Sequence, residues 1–228
     1  MRMTERRTSQ LAAKRFHLTA PEFLEILDLA RNTSARDWCV LVLALNHCCR
    51  VSELAGGAPA TKDRPAIPAL RLVDVESNHI TIRRLKGSLT TRQPFINHRG
   101  KPTISDKPAI DAYLKERIDD GGGLFFTGQK GPLTRWTLEK MFRRYCKLVS
   151  DARVARGSQA IPQEAWRFHA IKHSGISLLA QQGKDLLSVK DHAGHASISS
   201  TMVYAHPDAR MTAQFAQAAF SNAFATAR

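Results

Sequence analysis

The chain has 228 residues, 43% of them hydrophobic and 24% charged, proportions that suit a packed core of one large or two small domains and exclude a disordered or fibrous chain. Lys and Arg number 34 against 20 Asp and Glu, a formal net charge of +14; such an excess draws polyanions to the surface, so nucleic acid is the first partner to consider. The longest apolar run, around Trp38 to Leu45, is too short to cross a bilayer, and the N-terminal MRMTERRTSQ has no apolar signal core, so a membrane location is excluded and a reduced, cytoplasmic one expected.

Residues 1–16 are polar and basic and read as an arm. A helical pattern begins at Pro21, with Phe23, Leu24, Leu27 and Ala30 on one face. Ser34 to Asp37 has capping-box spacing and opens a second helix with Trp38, Leu41, Val42 and Leu45 at helical intervals, apolar nearly all round and therefore central. Of the four cysteines, Cys39, Cys48 and Cys49 fall in this apolar stretch and Cys146 stands alone; with no C-x-x-C pair they read as core hydrophobes, not as a zinc site or a disulfide framework. Gly56 to Pro68 is rich in Gly, Pro and Ala and reads as a loop. Asn78 to Leu85 and Thr91 to Ile96 read as a β-hairpin around a turn containing Lys86, Gly87 and Ser88.

The remainder is mainly helical. Ile110, Tyr113, Leu114 and Ile118 mark one helix. After a short strand at Leu124-Phe125-Phe126, Leu138, Met141, Phe142 and Tyr145 mark another. A polar stretch from Ser150 to Pro162 links to a helix from His169 to Gln182 that Gly183 stops. Short helices fit Asp185 to His192 and Ser197 to Ala205, and residues 208–228, with Phe215, Phe220 and Phe224, read as a tail helix.

The last third carries the sharpest pattern: His169, Lys172 and His173 in HAIKHSGIS, then Gly194-His195 and Tyr204 in AGHASISSTMVYAH. It resembles the C-terminal signature of the tyrosine recombinase (phage integrase) family, H-x-L-R-H-[ST] followed by L-G-H-x-x-x-x-[ST]-[ST]-x-x-Y-x-H. Upstream, LNHCCRVSELA resembles the family's first box, G-x-R-x-S-E-L, which supplies Arg50 and Glu53, and LRLVDVE resembles the segment after it. Lys86 corresponds to the family's β-hairpin lysine. The resemblance runs from about residue 17 to 206. It implies an α+β, mainly α catalytic domain with a small antiparallel sheet over residues 17–207. With the match beginning near residue 17 this sequence has no room for a separate N-terminal DNA-clamping domain; it resembles the short recombinases of the fimbrial phase-switch type, or a fragment of a longer enzyme.

The implied chemistry is metal-free and cofactor-free breaking and rejoining of double-stranded DNA at specific recombination sites, by integration, excision or inversion. Tyr204 is the nucleophile and stores the bond energy as a 3′-phosphotyrosine, so rejoining needs no ATP. Arg50, Lys172 and His195 supply donors to the non-bridging oxygens, Arg50 with a fork suited to phosphate. Lys86 protonates the departing 5′ oxygen, and His169 accepts the tyrosine proton. Glu53 can pair with and orient Arg50, and His173 is a supporting residue. His169 and His173 stand four apart as zinc ligands can, but Ala170 occupies the place of the glutamate of a zinc-protease helix and no third ligand is apparent. Self-assembly as a tetramer on DNA and association with the nucleoid follow from the resemblance.

This sequence departs from the family at Lys172, where arginine is usual, at Ala193, where leucine is usual, and in the loop from Gly56 to Ala69. The first departure keeps a charge but loses a fork, and exchanging Lys172 for arginine is expected to retain or raise cleavage. It also admits a catalytically weak or inactive DNA-binding protein of the same fold; a type IB topoisomerase-like enzyme would share the chemistry.

Overall fold

The protein is described by a computed structural model over residues 17–62, 66–85, 87–119, 121–129, 131–181 and 185–202. Several sequence readings lie outside these residues: the arm at 1–16, Lys86, the helix stop at Gln182 and Gly183, the end of the helix that reaches Ala205, Tyr204 and the tail at 208–228.

Helix α1 (Ala20–Arg31) starts where Thr19 and Glu22 cap one another: the Thr19 hydroxyl accepts the Glu22 N–H, and the Glu22 carboxylate accepts the Thr19 N–H at 2.8 Å. It buries Phe23, Ile26, Leu27 and Ala30 against α2 (Ala35–Asn46). Ser34 caps α2 as its position predicts, accepting the Asp37 N–H at 3.2 Å, but the Asp37 carboxylate turns to Arg36 and to the Tyr145 hydroxyl rather than back to the cap. Every residue from Trp38 to Ala44 is buried, so α2 is the central rod of the core, packed on α1, α4 (Asp106–Glu116) and α6 (His169–Gln181). The short α3 (Val51–Leu54) follows α2 after a tight turn.

The hairpin forms as β1 (His79–Ile82) and β2 (Thr91–Pro94), antiparallel with Ile82 opposite Thr91. Ile80 and Ile82 alternate inward onto the core. The Leu124-Phe125-Phe126 segment is not a strand in its own right. Leu124 bridges Arg71, Phe125 donates its N–H to the Leu70 carbonyl at 2.8 Å, and the strand proper is the two-residue β3 (Thr127–Gly128) paired with β4 (Gly131–Pro132). Both phenylalanines are drawn inward by Tyr113, one edge-on and one stacked.

Helix α5 (Arg135–Ala155) runs further than its apolar pattern suggests, through residues that read as a polar linker. Val149 and Ser150 are buried, the Ser150 hydroxyl accepts the Ile161 N–H at 3.1 Å, and a Lys147–Asp151 pair one turn apart supports the extension. Helices α7 (Leu186–Ala193) and α8 (Ser199–Met202) complete the described fold. All four cysteines are buried and free, and burial pushes the Cys48 and Cys49 thiols up to about 11 and about 12. Among the described residues no group of three or more His, Cys, Asp or Glu side chains is arranged to hold a metal ion, and no helix is long and apolar enough to cross a membrane.

Candidate active site

After α2 the chain must reverse within a few residues to start α3. It does so through Cys48, at φ 50, the one positive-φ non-glycine residue among those described. An L-residue pays about 1–2 kcal/mol for this left-handed conformation, and what the conformation achieves is the aim of the Cys48 carbonyl, which accepts from Lys172 Nζ at 2.9 Å and from Arg84 Nη1 at 3.1 Å. Two residues on, Arg50 stands at the start of α3. Its backbone N–H and its Nη1 both donate to Glu53 at 2.8 Å, and the rest of the fork reaches the hairpin at the Leu85 carbonyl (3.2 Å) and the Ser88 hydroxyl (3.3 Å). The Arg50 side chain keeps 18% of its surface exposed, while Glu53 is buried. Burial pushes the Glu53 carboxyl up, but the Arg84 charge, the Arg50 N–H and Lys172 together outweigh it and hold it below the usual range. Glu53 is thus an anion at neutral pH that holds Nη1 of Arg50, while Nη2 rests on the Ser88 hydroxyl.

Helix α6 brings His169, Lys172 and His173 to one face by their three- and four-residue spacing. It approaches α2 closely because Gly175 has no side chain: a Cβ there would lie 2.7 Å from the Leu45 carbonyl oxygen and 2.9 Å from Cys48 Sγ. His169 is exposed and meets His173 edge-on at 4.5 Å between ring centres. Burial, then the His169 charge, pushes His173 down to about 4. Lys172 is only 3% exposed, and its ammonium lies on two backbone carbonyls, Cys48 and, at 3.1 Å, Ala193. Burial and then Arg84 bring it down to about 8.

His195 follows α7, which ends at Gly194 in the left-handed region (φ 68). Glycine suits this position twice over, since a Cβ would also come within 2.8 Å of the Arg84 stem. The turn sets the His195 N–H on the Lys190 carbonyl and its Nδ1 3.0 Å from the Thr201 hydroxyl of α8. Burial, then Lys172 and Arg50, push His195 down to about 4, so the ring is neutral at pH 7.

Arg50, Glu53, Lys172 and His195 are therefore drawn from three parts of the chain to one cluster around the Cys48 turn, with His169 and His173 on the face of α6 that carries Lys172. Lys86 and Tyr204 lie outside the described residues. The two other tyrosines are engaged in the core. Tyr113 donates to the Phe125 carbonyl and accepts the Thr127 N–H, and Tyr145 donates to Asp37 and is pushed up to about 12, first by burial.

Arg84, which in sequence is only one of several basic hairpin residues, proves central. Its side chain is completely buried and donates to Thr91 Oγ1, Glu53 Oε2 and the carbonyls of Cys48, His47 and His192. Strand parity is the signal that could have found it: Ile80, Ile82 and Arg84 share one face. His47 and His192 are structural, His47 bridging Gln93 and Asp106 and His192 lying on the Asn46 carbonyl. A basic groove runs from the start of α2 and of α5 to Arg167, two residues before His169. Arg36, Arg135, Lys140, Arg143 and Arg144 line it, together with Trp136, which is 82% exposed.

Residues 66–211 match the phage integrase family. The type 1 fimbriae regulatory protein FimE of Escherichia coli K12 is 27% identical over 202 residues, covering 84% of this chain and 86% of its own length. Among solved structures, XerA recombinase superposes with a TM-score of 0.62 at 18% identity over 87% of this chain, and the Tn1549 transposon integrase in complex with circular intermediate DNA with a TM-score of 0.62 at 20% identity over 88%. The chain spans 63% and 66% of those longer chains, and at such identities the likeness speaks for the fold, which is that of a tyrosine recombinase catalytic domain. The chain belongs to the phage integrase family of tyrosine recombinases, a family of enzymes that break and rejoin DNA.

Proposed function

We propose that this protein is a site-specific recombinase that acts on double-stranded DNA with Tyr204 as its nucleophile. The observation that carries the reading is the gathering of Arg50, Glu53, Lys172 and His195 around the Cys48 turn. The Tyr204 oxygen attacks the scissile phosphorus as the bond to the 5′ oxygen breaks, giving a 3′-phosphotyrosine and a free 5′ hydroxyl. His169 takes the phenolic proton and Lys86 supplies one to the departing oxygen. Charge on the non-bridging oxygens is met by the partly exposed Arg50 guanidinium, whose Nη2 exchanges the Ser88 hydroxyl for phosphate, and by Nε2 of neutral His195 as a hydrogen-bond donor. Lys172 adds positive charge from beneath. The reverse attack reseals the strand, and exchange of strands between two sites calls for a tetramer on DNA. The basic groove beside His169 suits the phosphate backbone flanking the break.

A second reading, a DNA-binding protein with weak or no cleavage, draws on the same Lys172, whose ammonium is engaged by two backbone carbonyls. One experiment separates the two. Nicked suicide duplexes drawn from the DNA that flanks the gene should trap the protein covalently, in EDTA as in magnesium, and Tyr204→Phe should abolish trapping while leaving DNA affinity nearly unchanged. Tight binding without trapping establishes the second reading; trapping by the Tyr204→Phe protein removes Tyr204 from the mechanism.

A further inference from the structure

An arginine with no exposed surface needs five acceptors for its five N–H groups, and burying its charge costs several kcal/mol unless they are found. Arg84 has all five. Nε donates to Thr91 Oγ1 (3.3 Å), Nη1 to the Cys48 carbonyl (3.1 Å) and Glu53 Oε2 (3.2 Å), and Nη2 to the carbonyls of His47 (2.8 Å) and His192 (3.0 Å). These acceptors belong to the hairpin, the turn after α2, α3 and the end of α7, the elements that carry or abut the candidate site. The Arg84 stem lies under Gly194, the residue before His195. Glu53 is divided between the two guanidiniums, Oε1 to Arg50 and Oε2 to Arg84; Oε1 also accepts the Leu85 N–H at 3.1 Å and Oε2 the Arg50 backbone N–H at 2.8 Å.

The charges are unbalanced. Arg50, Arg84 and Lys172 are gathered around one carboxylate, Glu53, and among the described residues it is the carboxylate on which both arginines converge. Such a cluster carries excess positive charge before any phosphate arrives, with the fold bearing the cost in advance. Arg84 cannot itself touch DNA from its buried place. It can decide where Glu53, and hence the Arg50 guanidinium, points.

We propose that Arg84 is a positioning residue for strand cleavage, locking Glu53 so that Arg50 faces the scissile phosphate and coupling that guanidinium to the Gly194–His195 turn. The proposal rests on the recombinase reading above. Lysine at this position keeps the charge but offers three donors from one point, so it cannot span acceptors on four elements.

The test compares the full-length parent with Arg84→Lys and Arg84→Met on suicide duplexes whose scissile phosphate is either normal or a methylphosphonate. Methyl in place of one non-bridging oxygen removes the negative charge that Arg50 answers, so a defect in aiming Arg50 shrinks on it, whereas a general packing defect does not. Arg84→Lys is expected to bind DNA within about threefold of the parent and to cleave the normal phosphate roughly ten- to a hundredfold more slowly. On the methylphosphonate it should come within about threefold of the parent. Cleavage at the parental rate, or an equal deficit on both substrates, overturns the proposal. Arg84→Met is expected to lose much of its stability, and if it does not fold the lysine variant carries the test. Should the parent itself trap on neither duplex, the recombinase reading falls. Arg84 is then judged in the DNA-free protein by the Arg50 Nε–H resonance, expected sharp in the parent and averaged in Arg84→Lys. An unchanged resonance refutes the positioning role.

Discussion

Lys172 and Arg84, 88 positions apart in the chain, donate to the same atom, the carbonyl oxygen of Cys48, at 2.9 and 3.1 Å. Two buried cations meeting at one oxygen repel each other, and the repulsion is visible in Lys172, which burial and then Arg84 bring down to about 8. The left-handed turn at Cys48 is what presents that oxygen to both.

This pairing reverses what the family pattern suggests for position 172. From sequence alone, Lys172→Arg should retain or raise cleavage. In the structure Lys172 is 3% exposed and shares its acceptor with Arg84, so a second guanidinium has to displace packed neighbours. Overpacking of this kind typically costs about 1–3 kcal/mol. Lys172→Arg is therefore expected to lose that much stability in urea and to cleave no faster than the parent in single turnover. Faster cleavage at unchanged stability would mean that the pocket opens readily and that the side chain at 172 reaches the phosphate directly.

Gly194→Ala should be costly for two separable reasons. The left-handed backbone penalises any L-residue by about 1–2 kcal/mol, and the new Cβ would come within 2.8 Å of the Arg84 stem, adding an overpacking cost of about 1–3 kcal/mol. Gly121, at φ 68 with nothing within 4 Å of where a methyl group would lie, isolates the first of these costs. Denaturation of the two alanine variants should show Gly194→Ala losing clearly more, together with cleavage, because the turn also places His195. Equal losses would remove Arg84 packing from the account.

Acid should destabilise the fold through His195. Its folded value of about 4 lies below the ordinary 6.5, so the unfolded chain takes up a proton between these limits that the folded protein refuses. The stabilisation is complete above about pH 6.5 and is lost as the pH falls through about 4. It amounts to on the order of 3 kcal/mol at most for a ring as buried as this one. His173, also near 4 but half-buried, adds a smaller share in the same window. Melting temperatures measured from pH 7 to pH 4 should fall, and less steeply for His195→Gln; parallel curves would show that other groups govern the acid limb.

DNA affinity should drop steeply with salt, since cationic contacts release counterions from the duplex. If the groove of Arg135, Arg143 and Arg167 tracks the backbone, replacing each by alanine should weaken binding to all sequences alike and reduce the slope of log affinity against log salt by about 1. A slope unchanged in all three variants would place the backbone elsewhere.

Much of the architecture is legible in the chain because it depends on local periodicity. The apolar run from Trp38 to Ala44 marks the central helix whatever surrounds it, and the Ile80–Ile82 alternation marks a strand. The spacing of His169, Lys172 and His173 puts three groups on one helical face, and the order of the boxes points to Arg50, Glu53 and His195. The end of α5 is not legible in this way, because Ser150 looks polar by itself; its burial depends on Ile161, which arrives from outside the helix to use its hydroxyl. What the sequence by itself determined was the inventory of charged groups and the helices and strands that carry them. What only the tertiary structure decided was which charges are buried together. Arg84 reads as one surface cation among several until strand parity turns it inward and four elements supply its acceptors. Lys172 reads as an open phosphate ligand until α6 packs it onto the carbonyls of Cys48 and Ala193. Burial and hydrogen-bond partners are properties of the closed core, and local periodicity carries no information about residues that meet only after a long stretch of intervening chain has folded.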